Sequence, residues 1–377
     1  MSGNWQLNLD RTVFLDEYWQ RKPLLIKNGS AEFTPPLGSD HIAGLALEDD
    51  VESRLIERRD DHWQQLHGPF NTADFTREHP WTLLVQAVDH YFPEVAALQA
   101  LFDFIPRWRM DDVMVSYAVD GGSAGPHYDN YDVFLLQGEG QRLWRIGQHC
   151  DSSTALLPHE DMRLLKHFET HEELLLDPGD ILYVPPGIAH WGIAVGECTT
   201  FSIGFRAPTI NDLISRWTDQ LLLQSDEEQF YRDAGRAPST RIGEVTVVDR
   251  RRALAQLRNA LAQNVDNHWF GELLTEPRYD IDADEDELEQ ALTLLRSGAQ
   301  TVSLQPGAKL AWQEDGTGLT VFANGESVAC GASAMASLII LCDRQSLEGD
   351  ALDKALGDSD TATMLERLVL IGCLHVE

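Results

Sequence analysis

Residues 121–147 read GGSAGPHYDNYDVFLLQGEGQRLWRIG, and residues 179–190 read GDILYVPPGIAH. Short apolar runs alternate here with glycine and proline, which is typical of short β-strands joined by turns. The spacing leaves no room for the helical crossovers that a parallel sheet needs. The two stretches therefore predict a β-sandwich or barrel in the middle of the chain.

Further strands are predicted around these stretches, from about residue 108 to residue 206. The predicted strands are DDVMVSYAV, YDVFLLQG, QRLWRIG, EELLLDPGD, ILYVPPG and TTFSIGFRAP. Nearer the start, residues 16–28 (DEYWQRKPLLIKN) predict a helix followed by a strand. Pro23 ends that helix, because the residue before a proline is pushed out of the helical region, and Leu24–Ile26 suits a buried strand.

The pattern becomes helical after Pro208. One apolar face is predicted along residues 211–224 and 249–273. An interdomain or dimer contact would cover this face, and a solvent-facing stripe is the alternative. The residues of the face are Leu213, Ile214, Trp217, Leu221, Leu222, Leu254, Leu257, Leu261 and Trp269.

An acidic linker at 280–290 (DIDADEDELEQ) opens the last part of the chain. A helix through Leu292–Leu295 follows, and then two extended runs within residues 310–325 that a glycine turn joins. This order is compatible with a winged helix. The acidity argues against a reader of nucleic acid and favours a scaffold or protein-contact role.

The overall composition is that of a folded, soluble protein. Of the 377 residues, 43% are hydrophobic and 24% charged, and this length predicts two or three domains. No apolar run is long enough for a membrane span and no signal peptide is recognisable, so we expect a cytoplasmic protein. The five cysteines are odd in number and never spaced C-x-x-C, which indicates buried reduced thiols rather than disulfides or zinc ligands.

The chain is strongly acidic, with 61 acidic against 29 basic residues and a formal charge of -32. Such a charge repels nucleic acid and anionic membranes and attracts a basic partner. The alternative interpretation is that the acidity only maintains solubility.

Three side chains in the two quoted stretches have the spacing of a metal site. Residues two apart on a strand share a face, so His127 and Asp129 are expected to face the barrel interior while Tyr128 faces away. His190 would arrive from a paired strand beyond a turn. Two histidines and one carboxylate leave coordination positions open, as in the iron(II) oxygenases. A structural zinc site would instead have four ligands.

A histidine two residues before an aspartate also arises by chance, so the glycine, proline and histidine spacings around it carry much of the prediction. The remaining histidines are expected at the surface. They include His62, His67, His149, His159, His167 and His171.

A 2-oxoacid co-substrate requires a buried cation to hold its distal carboxylate. Arg142 is favoured for this role over Arg206, which precedes Ala207 and Pro208 where the barrel is expected to end. An exposed strand arginine is the alternative for both of them and for Arg145.

These residues resemble the JmjC-type bacterial ribosomal oxygenases, which are Fe(II)- and 2-oxoglutarate-dependent arginyl hydroxylases. The matching blocks extend over essentially the whole chain and include YWQRKPLLIKN, VESRL, HGPF, WRMDDVMVSY, GPHYDNYDVFLLQGEGQRLWRIG, PGDILYVPPGIAHWG and FSIGFRAP. The resemblance implies a mixed α/β (α+β) fold. Its domains would be a double-stranded β-helix catalytic domain of the cupin and JmjC type at 1–207, a helical dimerisation domain at 208–276 and a winged-helix-like domain at 277–377.

The resemblance also implies the reaction. An arginyl side chain of the sixteenth large-subunit ribosomal protein would be hydroxylated at its β-carbon, giving 3-hydroxyarginine. Fe(II) would be held by His127, Asp129 and His190, with 2-oxoglutarate and O2 as co-substrates and Arg142 as the 2-oxoglutarate-binding residue. The substrate-binding residues would be Asp112, Met114, Tyr131 and Ser202. A homodimer that binds a basic ribosomal protein, and neither nucleic acid nor membrane, is expected.

Other functions use the same iron site. A JmjC-type demethylase or a small-molecule hydroxylase is the first alternative, and a non-enzymatic cupin-like binder with a vestigial site is the second. For Asp112, the alternative to a guanidinium partner is a solvated carboxylate at a strand end.

Overall fold

The computed structural model describes residues 5–30, 33–60, 62–224, 230–262, 266–278, 284–315 and 318–377. Its contacts divide the chain into two compact units, Met1–Ala207 and Pro208–Glu377. The finer domain boundary at residue 276 stays a prediction. Within these described ranges, every helix is too short or too polar to cross a lipid bilayer.

The first unit is built on antiparallel strands in two sheets. Its strands are β1 (Leu24–Ile26), β2 (Ser53–Arg59), β3 (His62–His67), β4 (Trp81–Val85), β5 (Met110–Ala118), β6 (Asp132–Gln137), β7 (Gln141–His149), β8 (Glu172–Leu176), β9 (Ile181–Val184), β10 (Ile188–Val195) and β11 (Cys198–Phe205). Its helices are α1 (Arg11–Glu17), α2 (Ser39–Leu45) and α3 (Pro93–Ala96). The large sheet has the order β1-β9-β6-β11-β5-β4-β2-β3, and the small sheet has the order β10-β7-β8.

Strand β6 shows how the two sheets pack. Every residue of this strand is buried, because its alternate side chains enter two different cores. Phe134 packs into the cluster that contains Phe14 of α1, whereas Val133 and Leu135 pack against Trp144 of the small sheet. The two sheets therefore face each other, which confirms the predicted sandwich.

The helix predicted within 16–28 lies earlier than expected. It begins after Asp10, whose carboxylate accepts the backbone N–H groups of Thr12 and Val13, and it ends at Glu17, well before Pro23. Gln20 then takes a left-handed conformation, with φ of 58°, and reverses the chain. The following strand is confirmed at Leu24–Ile26, where it pairs with β9.

The second unit combines helices with two small sheets. Its helices are α4 (Ile210–Leu223), α5 (Val247–Leu261), α6 (Trp269–Thr275), α7 (Glu285–Gly298), α8 (Met335–Arg344), α9 (Gly349–Gly357) and α10 (Ser359–Leu370). Its strands are β12 (Thr301–Leu304), β13 (Leu310–Asp315), β14 (Gly318–Ala323), β15 (Glu326–Cys330), β16 (Ser346–Glu348) and β17 (Leu374–Val376). The sheets have the orders β16-β12-β17 and β13-β14-β15.

Several predictions for the second unit can be compared with these elements. The predicted helical run at 249–273 is two helices, α5 and α6, rather than one. The two extended runs are confirmed as β13 and β14, while the turn between them at 316–317 lies outside the described residues. Residues 280–283 of the acidic linker also lie outside them, and the rest of the linker forms the cap and first turns of α7. All five cysteines are free thiols.

Candidate metal centre

The segment that carries His127 and Asp129 lies between β5 and β6, and the prediction that it is a strand is wrong. Its ladder is a single bridge, in which His127 N–H donates to the His190 carbonyl at 3.1 Å and His190 N–H donates to the His127 carbonyl at 2.8 Å. The ladder does not extend backwards, because Gly125 is left-handed, with φ of 82°, and Pro126 has no N–H to donate.

The predicted alternation nevertheless holds across this short bridge. Tyr128 is turned away from the histidines and packs against Cys150 and Ala189. The metal-binding atoms of His127, Asp129 and His190 all lie within 4.8 Å of one another. The predicted ligand residues are therefore brought together, and His190 Nε2 is 3.5 Å from Asp129 Oδ2.

Backbone carbonyl groups fix the orientation of both imidazoles. His127 Nδ1 lies 2.9 Å from the Gly125 carbonyl oxygen, and His190 Nδ1 lies 3.0 Å from that of Ile188. A carbonyl oxygen can only accept a hydrogen bond, so Nδ1 carries the proton in each ring. The Nε2 lone pairs remain for a metal ion, which is the usual arrangement of metal-binding histidines.

Burial keeps His190 neutral. Burial, and to a smaller extent the neighbouring His127, together lower the pKa of His190 to about 4, against the opposing effects of Asp129 and of the Ile188 carbonyl. A neutral imidazole is the form that binds a metal. Two imidazole nitrogens and one carboxylate, a set that leaves coordination positions open, match the donor set that non-haem iron(II) prefers.

Arg142 occupies the same interior, on β7. Its side chain is 4% exposed, and its Nη2 donates to Ser116 Oγ at 3.4 Å. Within the described part of the chain, its Nε has no hydrogen-bond partner and no carboxylate forms an ion pair with it. A buried cation without a counter-charge is costly, so this position fits an anionic ligand such as the distal carboxylate of 2-oxoglutarate.

Trp144 joins Arg142 to the histidines along the wall of the small sheet. Its ring centroid lies 5.8 Å from the Arg142 guanidinium carbon and 5.8 Å from the His190 ring. The guanidinium of Arg142 and the imidazole of His190 thus lie along one surface, with the indole of Trp144 between them. A ligand that reaches from one to the other would lie against this indole.

Arg206, the competing candidate, and Arg145 already have carboxylate partners. Arg206 Nε lies 2.5 Å from Asp111 Oδ2, and its guanidinium stacks 5.3 Å from the Tyr131 ring centroid. Arg145 Nε lies 2.9 Å from Glu173 Oε1. The burial and the lack of a counter-charge both favour Arg142 for an anion.

The residues predicted to bind substrate lie on neighbouring strands of the large sheet. Asp112 and Met114 alternate along β5, on the same side as Ser116, and Ser202 of β11 lies opposite Met114 in the register. Asp112 is buried and accepts a hydrogen bond from Gln86 Nε2 at 2.6 Å. These side chains share the interior with Arg142, since Arg142 contacts Ser116.

Tyr131 lies close to the metal-binding carboxylate. Burial raises the pKa of the Tyr131 hydroxyl, and the charge of Asp129 raises it further. Asp112 also raises this pKa, while Arg206 and Arg54 lower it. Because such influences fall off with distance, Tyr131 is close to Asp129 and also near the charged groups around Asp112.

Some residues of the site were not predicted from the sequence. Ser116 and Trp144 could have been found by extending the two-residue alternation from Asp112 and Arg142. Gln86, which contacts Asp112, carried no such signal because it follows a different strand. Of the six histidines named above as surface residues, five are exposed, and His159 is partly buried and bonded to the Trp63 carbonyl.

Comparison with known proteins identifies the family. Residues 97–213 match the JmjC domain family, and residues 256–375 match the ROXA-like winged helix family. The chain is 35% identical over 390 residues to the ribosomal protein uL16 3-hydroxylase of Escherichia coli, with 98% of each chain covered. The winged-helix-like C-terminal domain and the mixed α/β fold predicted from the sequence are therefore confirmed.

Solved structures agree with this relationship. The structure of YcfD, a ribosomal oxygenase from Escherichia coli, in complex with cobalt and 2-oxoglutarate matches with a TM-score of 0.81, 34% identity and 99% of each chain covered. The complex of the same protein with cobalt and succinic acid gives the same values, a TM-score of 0.81, 34% identity and 99% coverage of each chain. This chain belongs to the JmjC-domain ribosomal oxygenases and is a 2-oxoglutarate-dependent dioxygenase.

Proposed function

We propose that this enzyme hydroxylates an arginyl side chain of the large-subunit ribosomal protein uL16, at the β-carbon. The observation that carries the proposal is the pairing of the three ligand side chains with a buried arginine that lacks a counter-charge. The name of the Escherichia coli relative supports uL16 as the substrate. The buried carboxylate of Asp112 supports an arginine as the target, because a buried guanidinium requires an anionic partner.

In this proposal His127 Nε2, Asp129 and His190 Nε2 hold Fe(II). Three protein ligands leave positions for 2-oxoglutarate and O2. When bound, the iron and its co-substrate supply the oxidising chemistry: 2-oxoglutarate and O2 are converted to succinate and CO2, and one oxygen atom enters a C–H bond of the substrate. The protein contributes positioning and the exclusion of water.

Arg142 would bind the distal carboxylate of 2-oxoglutarate. Ser116 holds one arm of the guanidinium, so the remaining donors present a fixed surface to the carboxylate. The depth of Arg142 in the barrel sets how far the co-substrate extends from the metal. The co-substrate would lie against the indole of Trp144, which contacts both Arg142 and His190.

Asp112 would accept the guanidinium of the substrate arginine, beside Tyr131 and Ser202, while Met114 lines the apolar part of the pocket. Met114 packs against the apolar cluster that contains Ile56 of β2 and Leu84 of β4. An apolar wall with one carboxylate suits the arginine side chain, which has an apolar stem and a cationic end.

The proposed enzyme is a homodimer that uses the apolar surface of α4 and α5. Ile214, Leu222 and Leu257 are 58%, 67% and 54% exposed, and a surface of this kind is normally covered by a partner. Light scattering at dilute concentration should show a dimer for the wild type and a monomer for Leu257→Glu. Asn259→Glu, an exposed position on the same helix, adds the same charge and should stay dimeric; a dimeric Leu257→Glu would contradict this surface.

The acidity of the chain suits a basic partner. A charge of -32 raises the encounter rate with a lysine- and arginine-rich ribosomal protein, and such a partner implies a cytoplasmic location. The binding of uL16 should therefore weaken as ionic strength rises. An affinity that stays constant from low to high salt would contradict this electrostatic contribution.

Intact-mass spectrometry tests the function directly. Purified ribosomal proteins are incubated with the enzyme, Fe(II), 2-oxoglutarate and O2, and uL16 should gain the mass of one oxygen atom. Fragmentation should place that oxygen on an arginine, and comparison with authentic 3-hydroxyarginine tests the carbon. Loss of a methyl group would indicate the demethylase alternative, and no change in any ribosomal protein would contradict the proposal.

A further inference from the structure

A chain of three hydrogen-bonded side chains crosses the large sheet next to the proposed substrate pocket. Arg54 Nη2 donates to Gln86 Oε1 at 3.0 Å, and Gln86 Nε2 donates to Asp112 Oδ2 at 2.6 Å. Gln86 and Asp112 are buried, whereas Arg54 is partly exposed. This row of hydrogen bonds thus leads from the Arg54 guanidinium near the surface to the Asp112 carboxylate inside the barrel.

The sheet itself fixes the backbone of all three residues. Arg54 lies on β2, Gln86 directly follows β4, and Asp112 lies on β5, and these three strands are neighbours in the order β2-β4-β5. Arg54 pairs with Leu84 in the register, and the Gln86 N–H donates to the Glu52 carbonyl at 2.9 Å. Arg54 and Asp112 are therefore presented by strands of the sheet, and Gln86 is held at the end of β4 by its backbone hydrogen bond.

The chemistry of the three groups permits only one direction for the hydrogen bonds. A guanidinium has donors only, and an ionised carboxylate has acceptors only. The amide of Gln86 must therefore turn its oxygen towards Arg54 and its NH2 group towards Asp112. A flipped amide would bring donors together at one end and oxygens together at the other. Arg54 thus determines the orientation of Gln86, and Gln86 determines that of the Asp112 carboxylate.

We infer that Arg54 and Gln86 are positioning residues for recognition of the substrate arginine, an inference that rests on the proposed role of Asp112. A carboxylate and a guanidinium form their strongest contact when their planes are aligned. The hydrogen bond from Gln86 holds the plane of the Asp112 carboxylate before substrate arrives and stabilises its charged form. A carboxylate has about four acceptor sites, so an incoming guanidinium can bind Asp112 beside the partners that this carboxylate already has.

The consequence for the enzyme is a preference for arginine over lysine. An aligned carboxylate matches the planar, forked donors of a guanidinium, whereas an ammonium group is a point charge that binds in any orientation. Loss of the alignment should therefore weaken arginine binding more than lysine binding. Neither Arg54 nor Gln86 has been placed in contact with the metal or 2-oxoglutarate, so their effect should be confined to the protein substrate.

Steady-state kinetics of the full-length enzyme with uL16 tests the inference. Gln86→Met keeps the length of the side chain and removes both hydrogen bonds, and kcat/KM for uL16 should fall about tenfold or more, the loss expected for a hydrogen bond to a charged group. The KM for 2-oxoglutarate and the formation of succinate without protein substrate should not change. Gln64→Met, at an exposed position on β3, is the matched control and should behave as the wild type.

A double variant separates a connected chain from two independent effects. If Arg54 acts through Gln86, the variant Arg54→Met/Gln86→Met should be no worse than Gln86→Met alone, because coupled residues are not additive. Arg54→Lys should retain part of the activity that Arg54→Met loses. With uL16 carrying lysine at the target position, the wild type should discriminate strongly, and Gln86→Met should reduce the ratio of binding affinities for the arginine and lysine forms.

Several results would overturn the inference. These are a wild-type kcat/KM in Gln86→Met, additive losses in the double variant, or an equal rise in the KM for 2-oxoglutarate, which would indicate a general disturbance of the fold. If Gln86→Met does not fold, the same measurements are made on Arg54→Met, which changes a partly exposed residue: kcat/KM for uL16 should fall and the KM for 2-oxoglutarate should not change. Hydroxylation by the wild type with no loss in the variants refutes the positioning chain alone, whereas no hydroxylation of uL16 by the wild type refutes the proposed function as well.

Discussion

The two faces of the large sheet are made by alternate residues of the same strands, yet they are opposite environments. On β5, Val113 and Val115 enter the aromatic core around Phe14, while Asp112 and Ser116 face the interior that also holds Arg142 and His190. One face is closely packed and apolar, and the other contains buried charge. The two-residue period of a strand thus lets one element contribute to stability and to chemistry independently.

The two faces differ in whether their buried side chains find packing or hydrogen-bond partners within the protein. The core side is filled by aromatic pairs such as Phe102 and Phe134, whose ring centroids are 4.2 Å apart. The site side holds an arginine whose Nε is without a partner in the described chain and a histidine kept neutral by burial. We therefore expect changes on the core face to reduce stability and changes on the site face to reduce turnover.

The largest effect should come from Asp129→Ala on the site face. Without this carboxylate only two imidazoles remain as ligands, and we expect iron binding to be lost and turnover to fall by at least about 1,000-fold, since even residues that only support metal ligands cost about 10- to 100-fold. Thermal unfolding of the metal-free protein should change little. Succinate formation, iron content and melting temperature are measured beside Asp161→Ala, an exposed control. Wild-type turnover in Asp129→Ala would refute the ligand assignment.

On the opposite face, Phe134→Ala should have the reverse effect. Removal of a fully buried phenylalanine costs about 3–5 kcal/mol of folding free energy, so the unfolding transition of the first unit should shift to lower denaturant. The KM for 2-oxoglutarate, measured where the protein is still folded, should stay near the wild-type value. A raised KM with unchanged stability would show that the two faces are not independent.

Arg142→Met should weaken function without weakening the fold. Loss of a buried charged partner for a carboxylate typically costs about 2–5 kcal/mol, so the KM for 2-oxoglutarate should rise about 100-fold. The melting temperature in the absence of co-substrate should stay equal or increase, because an uncompensated buried charge is removed. Arg145→Met, which breaks an ion pair with Glu173, provides the comparison. A large fall in stability would mean that Arg142 is structural.

The smallest effect should come from Asp89, a buried carboxyl group that is hydrogen-bonded to the backbone of β5. Asp89 Oδ1 accepts the Val113 N–H at 2.8 Å, and burial raises the pKa of this carboxyl to about 7 from 3.8. Between these values the folded state holds a proton that the unfolded state has lost. The stabilisation from the protonated Asp89 carboxyl is therefore complete at pH values below the pKa of the unfolded state. It is lost as the pH rises through the pKa of the folded state, about 7, and the free energy of unfolding falls by up to about 1.4 kcal/mol per pH unit.

Asp89→Asn should remove that dependence. The difference in unfolding free energy between about pH 5 and about pH 8 should be smaller in the variant than in the wild type, with all other groups common to both. An identical pH dependence in the two proteins would show that Asp89 is ionised throughout this range.

The strands and the ligand residues could be predicted from sequence because both depend on local chemistry. Alternating or continuous apolar runs bounded by glycine identified β5 to β9 and β11, and Gly187, with φ of 77°, marks the turn that brings His190 back towards Asp129. Such turn glycines constrain the chain over a few residues only. This is why the spacing of the histidines and the aspartate was informative without knowledge of the remaining structure.

What the sequence predicted wrongly, or did not predict, depends on a single residue or on contacts distant in the sequence. The His127 segment has strand-like spacing, but Pro126 removes the donor that a longer ladder needs. The link between Arg54, Gln86 and Asp112 depends on which strands are neighbours in the sheet, and no pattern within any one strand contains that information. The site could thus be predicted at its metal-binding centre, while its supporting hydrogen bonds required the fold.

The reciprocal backbone hydrogen bonds between His127 and His190 have a consequence for the life of the enzyme. They hold the two imidazoles side by side through the main chain, so this part of the ligand geometry is set by the polypeptide and not by the ion. This differs from small zinc domains, in which the ion drives folding. We therefore expect an apoprotein made in iron-poor cells to keep these two ligands in place and to gain activity when iron binds later.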